Sequence, residues 1–320
     1  MRRLALALAG SLVLAACAVP HQRDDSEPVK TSAREADVTA VFDRYRKVRN
    51  TAIELLDPKP LSTVESGPVL AIDSGSFEVS QRLSTTQKED TAAVDVTDVL
   101  TPRFSKYPLW FYAVVREQSK GINRVQIFER ASSVDPWLLT ATPETLAETQ
   151  LPEIRTRGGA ALRVSAKDGR GMAMSPEQAA KTYAKALEDP RSEEAGEVED
   201  DSFIRQMRQA AQTSSQLDGV GFEQSWGAND VKYVLRTGDG GALAFVTLLR
   251  LDTYTVRPGL TVTWPKDTPQ RAFLSSGISG SGKLRYYHQV LLYLPGGNGK
   301  PRALGQYGGV VSADSGATQE

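Results

Sequence analysis

Side chains that commonly carry catalysis or bind metals are scarce in this chain of 320 residues. It contains one cysteine, Cys17, and two histidines, His21 and His288. A single cysteine cannot form an intramolecular disulfide, so the fold depends on packing alone. The low count of histidine and cysteine also excludes a zinc or haem centre built from these ligands. We therefore expect no bound metal and no cofactor.

An excess of one charge and long apolar runs are missing as well. The 38 basic residues nearly balance the 39 acidic ones, for a net charge of −1, and they form no basic stripe. We expect no nucleic-acid partner, because such partners select basic surfaces. After the N-terminal region the longest apolar stretch runs from Ala242 to Leu249, far too short to cross a bilayer. The 40% hydrophobic composition is typical of a globular chain with room for two medium domains.

The N-terminus carries the most specific motif. Arg2 and Arg3 precede an apolar run from Leu4 to Leu14, and the tetrad Leu-Ala-Ala-Cys then ends at Cys17. This tetrad resembles the lipobox of bacterial lipoproteins, which implies cleavage before the cysteine and attachment of lipid, including fatty acids such as palmitate, to Cys17. The alternative is an ordinary secretory signal with an incidental cysteine. The resemblance predicts a signal peptide over residues 1–16 and a lipid anchor on the extracytoplasmic face of the cell membrane.

Changes in composition divide the rest of the chain. Residues 17–35 are polar and lack apolar periodicity, which predicts a flexible tether. Residues 36–155 and 172–314 each begin with helical periodicity and continue with strand-like runs. We therefore expect two α+β domains, an N-terminal one over 36–155 and a C-terminal one over 172–314. They share an order of elements, which is the only sign of an internal repeat.

Helix signals are clearest at the start of each predicted domain. Apolar residues recur every three or four positions from Val38 to Leu56. The glycines and the proline between Val64 and Leu83 predict a short helix and a loop. The sequence Ser-Pro-Glu-Gln from Ser175 to Gln178 has the pattern of a capping box with proline at the first helical position. The acidic stretch from Glu193 to Asp201 predicts a mobile loop before a further helix.

Strands are expected to follow the helices in both domains. Helices that lead into antiparallel strands predict an α+β fold in which a helix covers one face of a curved sheet. This arrangement resembles the NTF2-like and cystatin-like folds. The helix stop Asp-Pro-Lys-Pro at 57–60, Glu-Ser-Gly-Pro at 65–68 and the aromatic strand from Tyr107 to Tyr112 resemble uncharacterised lipoproteins of actinobacteria. That family implies a location and no known activity.

One segment satisfies the pattern of a phosphate-binding loop. Gly277 to Lys283 reads Gly-Ile-Ser-Gly-Ser-Gly-Lys, but Leu284 follows where a serine or threonine would hold Mg²⁺. The following residues are rich in aromatics and predict a strand instead of the required helix. We interpret the segment as a turn before a strand. His288 lies in that strand, which favours a histidine of the sheet over a catalytic base.

Two further groups of residues have a functional and a structural interpretation. The carboxylates between Glu193 and Asp201 could hold calcium, but the spacing of a calcium loop is absent, so a solvated acidic loop is favoured. The four tryptophans fall in or beside predicted strands, where they could line a cavity or fill the core; the core is favoured. They are Trp110, Trp137, Trp226 and Trp264.

These observations predict no catalytic residue. We expect a non-catalytic ligand-binding or assembly module of the cell envelope, whose partners are the membrane and an envelope protein or small ligand. The first alternative is a hydrolase that uses carboxylates alone, such as a glycosidase, with two carboxyl groups about 5–10 Å apart across a cleft. The second is a structural partner that presents a sheet edge or an apolar patch. A deep pocket without converging carboxyl groups would favour ligand binding.

Overall fold

An open antiparallel sheet of ten strands is the centre of the structure, a computed structural model that describes residues 30–85 and 95–315. Two short two-stranded ribbons accompany this sheet. The strands are β1 Lys30–Thr31, β2 Asp95–Leu100, β3 Arg103–Phe104, β4 Leu109–Glu117, β5 Ile122–Arg130, β6 Leu138–Ala141, β7 Glu144–Leu146, β8 Thr156–Arg157, β9 Ala160–Ala161, β10 Val220–Ala228, β11 Tyr233–Arg236, β12 Ala242–Val256, β13 Ser281–Leu294 and β14 Arg302–Asp314.

Six α-helices lie within the described residues, so the predicted α+β class is confirmed. They are α1 Glu35–Leu55, α2 Gly67–Leu83, α3 Pro176–Glu188, α4 Glu193–Glu197, α5 Ser202–Ser215 and α6 Pro269–Phe273. Short 3₁₀ helices span Lys59–Thr63 and Gln118–Lys120. The apolar periodicity expected from residue 38 onward corresponds to α1, which is 21 residues long.

The large sheet contains strands from both predicted domains. Its order is β10-β12-β13-β14-β7-β5-β4-β2, with β11 also paired to β12 and β6 to β5. Strands β14 and β7 meet where Gln306 lies opposite Glu144. The division into 36–155 and 172–314 and the internal repeat stay predictions.

The two ends of the sheet share one apolar cluster. The ring centroids of Trp110 on β4 and Tyr233 on β11 are 5.6 Å apart, and those of Tyr112 and Phe245 are 6.3 Å apart. Side chains alternate along a strand, so Phe111 lies on the opposite face of β4 from Trp110 and Tyr112. There Phe111 and its neighbours contact helix α1. Strand β4 is therefore buried on both faces.

Helix α2 differs from the expected short helix and loop. It runs unbroken for 17 residues because Pro68 lies in the first turn, where the missing N–H costs nothing. Gly75 does not break the helix either. A Cβ atom at Gly75 would collide with the carbonyl oxygen of Val310, so the glycine lets α2 approach β14 closely. The glycine is thus a packing feature of a continuous helix.

The acidic stretch also differs from the mobile loop expected there. Glu193–Glu197 forms helix α4, and Asp201 caps α5 by accepting a hydrogen bond from the backbone N–H of Ile204 at 3.0 Å. The Asp201 carboxylate also accepts bonds from the Tyr183 hydroxyl at 2.8 Å and the Ala303 N–H at 2.7 Å. These bonds join α3, α5 and β14. The capping box at Ser175 is present as predicted.

The last residues of the predicted tether are ordered parts of the fold. Lys30–Thr31 pairs with Arg103–Phe104, and the N–H of Ser32 donates to the carbonyl of Pro102 at 3.0 Å. Ala33 is buried beneath the start of α1. The earlier residues of the predicted tether and the predicted signal peptide lie outside the described residues.

Candidate functional site

A cavity of about 710 Å³ lies between helix α1 and the face of strands β2, β4 and β5. This volume is within the range of about 300–1,000 Å³ that is usual for small-molecule sites. The lining residues are Ala33, Glu35, Val38, Thr39, Phe42, Asp43, Tyr45, Arg46, Arg49, Asn50, Val96, Val99, Thr101, Val115, Glu117, Arg124 and Gln126. We call this space the α1 cavity.

The sheet beneath α1 changes from aromatic to charged along its strands. Phe111 stacks on Phe128 with centroids 5.2 Å apart, and Phe42 of α1 meets Phe128 edge-on at 5.2 Å. Residues two positions apart on a strand point to the same face of the sheet. On β5, Gln126 and Arg124 therefore lie on the same face as Phe128, which pairs with Phe111 of β4. The α1 cavity lies toward the polar part of this face and retains valine side chains in its walls. Its chemistry is therefore amphipathic.

Arg124 organises one set of charges in the cavity wall. Its Nε donates to Oε1 of Glu117, and its Nη2 lies 2.8 Å from Oε1 of Glu144. The Nζ of Lys120 lies 2.6 Å from the other oxygen of Glu117. Glu117 is 2% exposed, so its carboxylate is shielded from water. The Arg124 guanidinium consequently has two carboxylate partners.

Arg49 organises a second set, which joins α1 to α2 and β14. Its Nη1 lies 3.3 Å from Oε1 of Glu65 and also contacts Oδ2 of Asp73. The Tyr45 hydroxyl donates to Glu65 at 3.1 Å, and the Tyr307 hydroxyl donates to Oδ1 of Asp73. Both carboxyl groups are almost completely buried. Only Tyr45 and Arg49 of this set line the α1 cavity.

The buried carboxyl groups have different proton affinities. Burial, with Asp73 beside it, raises the pKa of Glu65 to about 9. Burial also acts on Asp73, but the Arg49 guanidinium and the Tyr307 hydroxyl hold its pKa below the ordinary value. At neutral pH Glu65 is therefore protonated and Asp73 is ionised. Burial likewise acts on Glu117, whose pKa is nevertheless lowered by its ion pair with Arg124.

Two amide oxygens of lining residues lack a hydrogen-bond partner among the described residues. They are Oε1 of Gln126 and Oδ1 of Asn50, and both are buried. The Nε2 of Gln126 donates to the Thr142 hydroxyl at 3.4 Å, so this amide is held at one end only. An unsatisfied buried acceptor costs free energy, which a suitable donor on a ligand would recover.

The lipid-attachment residue predicted from the sequence, Cys17, lies outside the described residues. Within 30–85 and 95–315, no helix is long and apolar enough to cross a membrane. The same residues contain no group of three or more side chains placed to hold a metal ion.

The end of the apparent phosphate-binding loop and His288 both lie on strand β13. The expected strand is present, but it begins at Ser281, so Lys283 is exposed within β13 and not in the preceding turn. The His288 ring packs against Trp226 at 5.3 Å and Phe203 at 5.4 Å. Burial, with the nearby Arg250 charge, lowers its pKa to about 3, so the ring is neutral. His288 is a core histidine away from the α1 cavity.

The tryptophans belong mainly to the packing of the fold. Trp110 and Trp226 are buried in two apolar clusters, and Trp264 packs against a third. Trp137 stacks edge-on against Phe111 at 5.1 Å and lines a separate space of about 290 Å³. The four tryptophans are absent from the described wall of the α1 cavity.

Sequence reasoning did not identify a functional role for Arg49, Glu65, Asp73, Glu117 or Arg124. The sequence did contain a signal for Glu117 and Arg124. Both are charged residues at inward-facing positions of strands that are otherwise rich in apolar residues. Charged residues are seldom buried unless they are paired. For the first three the sequence offers no pattern that would bring them together.

Comparison with known proteins gives relatives without assigned activity. A family model described as a domain of unknown function (DUF8094) matches residues 27–315. An uncharacterized lipoprotein of Streptomyces coelicolor is 24% identical over 259 residues, covering 80% of this chain and 77% of the relative. One of Streptomyces avermitilis is 24% identical over 264 residues, with the same coverage, and a second from S. coelicolor is 25% identical over 292 residues, covering 82% and 79%. No solved structure matches. The relatives are consistent with a membrane-anchored envelope lipoprotein.

Proposed function

The chain belongs to this family of domains of unknown function, and we propose that it binds an amphipathic small molecule in the α1 cavity without catalysing its conversion. It acts at the extracytoplasmic face of the cell membrane, held there by lipid on Cys17 after removal of residues 1–16. The lipobox and the lipoprotein relatives support this anchor. The packing of helix α1 on one face of β4 and β5 also supports the proposed likeness to NTF2-like and cystatin-like folds.

The α1 cavity is the observation that carries the binding proposal. Small-molecule sites are concave, mostly apolar, and contain a few placed polar groups. The α1 cavity has valine walls and a polar wall built by Arg49, Arg124 and Gln126. The charges of this polar wall are paired, Arg49 with the buried Asp73 and Arg124 with Glu117 and Glu144, so the shape of the wall is held by the fold.

The arrangement of the carboxyl groups favours binding over hydrolysis. A glycosidase needs a carboxylic acid with a raised pKa beside its substrate. Glu65 has a raised pKa but is absent from the lining residues of the α1 cavity. Glu117 lines the cavity, but its ion pairs with Arg124 and Lys120 hold its pKa low. The remaining acids of the lining, Glu35 and Asp43, are exposed on α1.

The proposal can be tested by filling the α1 cavity. The full chain with Cys17→Ser, which cannot carry lipid on residue 17, is titrated with N-phenyl-1-naphthylamine, an uncharged dye that fluoresces in apolar sites. Thr39 and Val99 line opposite walls of the cavity on α1 and β2. We expect the parent to bind the dye and the double variant Thr39→Phe, Val99→Phe to lose about tenfold or more in affinity, because phenyl groups occupy the space.

The control variant is Thr51→Phe, Val134→Phe. Thr51 and Thr39 both donate their hydroxyl protons to the carbonyl four residues earlier in α1, at 3.1 and 3.3 Å. Val134 is 89% exposed, and neither control residue lines the cavity. The control should bind dye like the parent, and circular dichroism should show the same melting for all three. A parent that binds no dye, or a filled variant that binds as well as the control, would refute the proposal.

A further inference from the structure

We propose that the ligand of the α1 cavity presents a hydrogen-bond donor without negative charge, a hydroxyl or an ammonium group, to the polar wall. This inference rests on the proposed function and narrows it to a chemical class. An apolar chain or ring that ends in hydroxyl or amino groups belongs to that class. Fatty acids and phosphate esters do not.

All three arginines of the lining already have carboxylate partners, and Arg46 pairs with Asp43 at 3.0 Å. Arg124 contacts both Glu117 and Glu144, and Arg49 contacts Glu65 and Asp73. The side chains of Arg49 and Arg124 are each 17% exposed, so little of either faces the open space. A ligand carboxylate or phosphate that paired with Arg49 or Arg124 would have to displace a buried carboxylate. Displacement would leave a buried charge without a partner, which is strongly unfavourable.

The surrounding charges add to this discrimination. The lining contains three acids, Glu35, Asp43 and Glu117, and three arginines. Three further carboxyl groups lie directly behind the arginines, whereas Lys120 is the one additional base in ion-pair contact with this set among the described residues. Even with one of the six carboxyl groups protonated, acids outnumber bases. The cavity therefore holds no surplus of positive charge that would attract an anion.

The unpartnered polar atoms of the wall are acceptors. Oε1 of Gln126 and Oδ1 of Asn50 have no donor among the described residues. Gln126 lies beside Arg124 along β5, and Asn50 follows Arg49 on α1, so the two oxygens belong to the polar part of the lining. Both atoms are covered by their surroundings, so a ligand would turn the amide to reach them. A hydroxyl or ammonium group supplies the missing proton, and an ionised carboxylate supplies none.

Four octyl compounds with different polar ends test the inference. Octyl glucoside, octylamine, octanoate and octyl phosphate each compete with N-phenyl-1-naphthylamine for the Cys17→Ser chain at pH 7, below their micelle-forming concentrations. The apolar part is constant, so differences report the polar end. We expect the glucoside and the amine to displace the dye at concentrations about tenfold or more below those needed for the two anions. A difference between glucoside and amine separates hydroxyl from ammonium recognition.

Two variants connect the preference to the named residues. Gln126→Leu should weaken octyl glucoside about fivefold or more while the dye still binds, because the acceptor is lost. Gln209→Leu is the control, since Gln209 is exposed on α5. Glu144→Gln should strengthen octanoate binding about fivefold or more, because Arg124 then has one charged partner fewer.

The outcomes separate the two proposals. If the dye binds and octanoate or octyl phosphate displaces it as readily as octyl glucoside, the ligand class is wrong and the binding function stands. An unchanged preference in both Gln126→Leu and Glu144→Gln would also overturn the inference. If the dye itself does not bind, the binding function fails first.

Discussion

The Tyr307 hydroxyl on β14 donates a hydrogen bond to the Asp73 carboxylate on α2, across 234 positions of the chain. Asp73 is buried and Tyr307 is half-buried, and Asp73 also contacts Arg49 of α1. One buried carboxylate thus joins the first helix, the second helix and the last strand. This junction supports the polar wall of the α1 cavity from behind, because Arg49 belongs to both.

Tyr307→Phe should destabilise the fold. It removes a hydrogen bond to a charged group, which typically contributes about 1.5–3 kcal/mol. Urea unfolding at pH 7 measures the loss, with Tyr287→Phe on the adjacent strand as the matched control; Tyr287 is half-buried and lies outside the junction. Equal stability of the two variants would show that the bond to Asp73 contributes nothing.

The raised pKa of Glu65 makes stability depend on pH. The pKa of this carboxyl is about 9 in the fold against an ordinary value of 4.5, so between these values the folded chain holds a proton that the unfolded chain has released. Stability therefore falls as pH rises through this window, by up to about 1.4 kcal/mol per pH unit. Glu65→Gln, which stays neutral, should reduce this slope in unfolding experiments between pH 5.5 and 8.5.

Glu117→Gln should behave in the opposite way. The pKa of Glu117 is lowered in the fold, so its ion pair with Arg124 stabilises above the ordinary value of 4.5 and is lost as pH falls through the folded pKa. The variant should cost about 1–3 kcal/mol at pH 7 and progressively less in acid. Parallel pH profiles for Glu65→Gln and Glu117→Gln would contradict both assignments.

Gly75→Ala should destabilise the contact between α2 and β14. Its methyl group would collide with the carbonyl of Val310, and overpacking of this kind costs about 1–3 kcal/mol. Gly196→Ala in α4 is the control, since no other atom lies within 4 Å of the added carbon. Because alanine favours helix, the control should be neutral or stabilising by up to about 1 kcal/mol. The measurement is the thermal melting of the two variants. A Gly75→Ala variant as stable as the parent would mean that α2 can move away from β14 without loss of stability.

Lys283→Ala should leave stability within about 0.5 kcal/mol of the parent and should not alter nucleotide binding. Lys283 is exposed on β13, opposite Thr253 of β12, and the chain continues from it as a strand instead of a phosphate-binding helix. Calorimetric titration with ATP is the measurement. Micromolar binding that Lys283→Ala abolishes would establish a phosphate-binding loop after all.

Cys17→Ser should release the protein from membranes and abolish labelling by a radioactive fatty acid, without unfolding residues 30–315. The expected reason is loss of the acyl chains, each of whose buried methylene groups contributes about 0.8 kcal/mol to membrane binding. Ser11→Ala, a change within the apolar run, is the control and should remain labelled. Absence of the fatty-acid label from the parent protein would contradict the lipid-anchor prediction.

Local patterns were sufficient for the elements whose causes are local. The capping box at Ser175 and the strand after Lys283 depend on residues a few positions apart, and both are present in the structure. Gly75 and Asp201 were interpreted less well, because their roles depend on partners far along the chain. Gly75 faces Val310, and Asp201 binds the N–H of Ala303. From the sequence alone, a glycine or an aspartate in a loop cannot be distinguished from one that contacts a distant partner.

The sequence by itself determined the mixed α+β class, the single cysteine at the end of a lipobox-like tetrad, and the scarcity of residues for metal or triad chemistry. Only the tertiary structure decided that Arg49, Asp73 and Tyr307 meet, and that a cavity lies between α1 and the sheet. The physical reason is that helix periodicity and strand alternation are properties of neighbouring residues. The meeting of side chains across 234 positions depends instead on sheet order, register and helix packing, which no local pattern encodes.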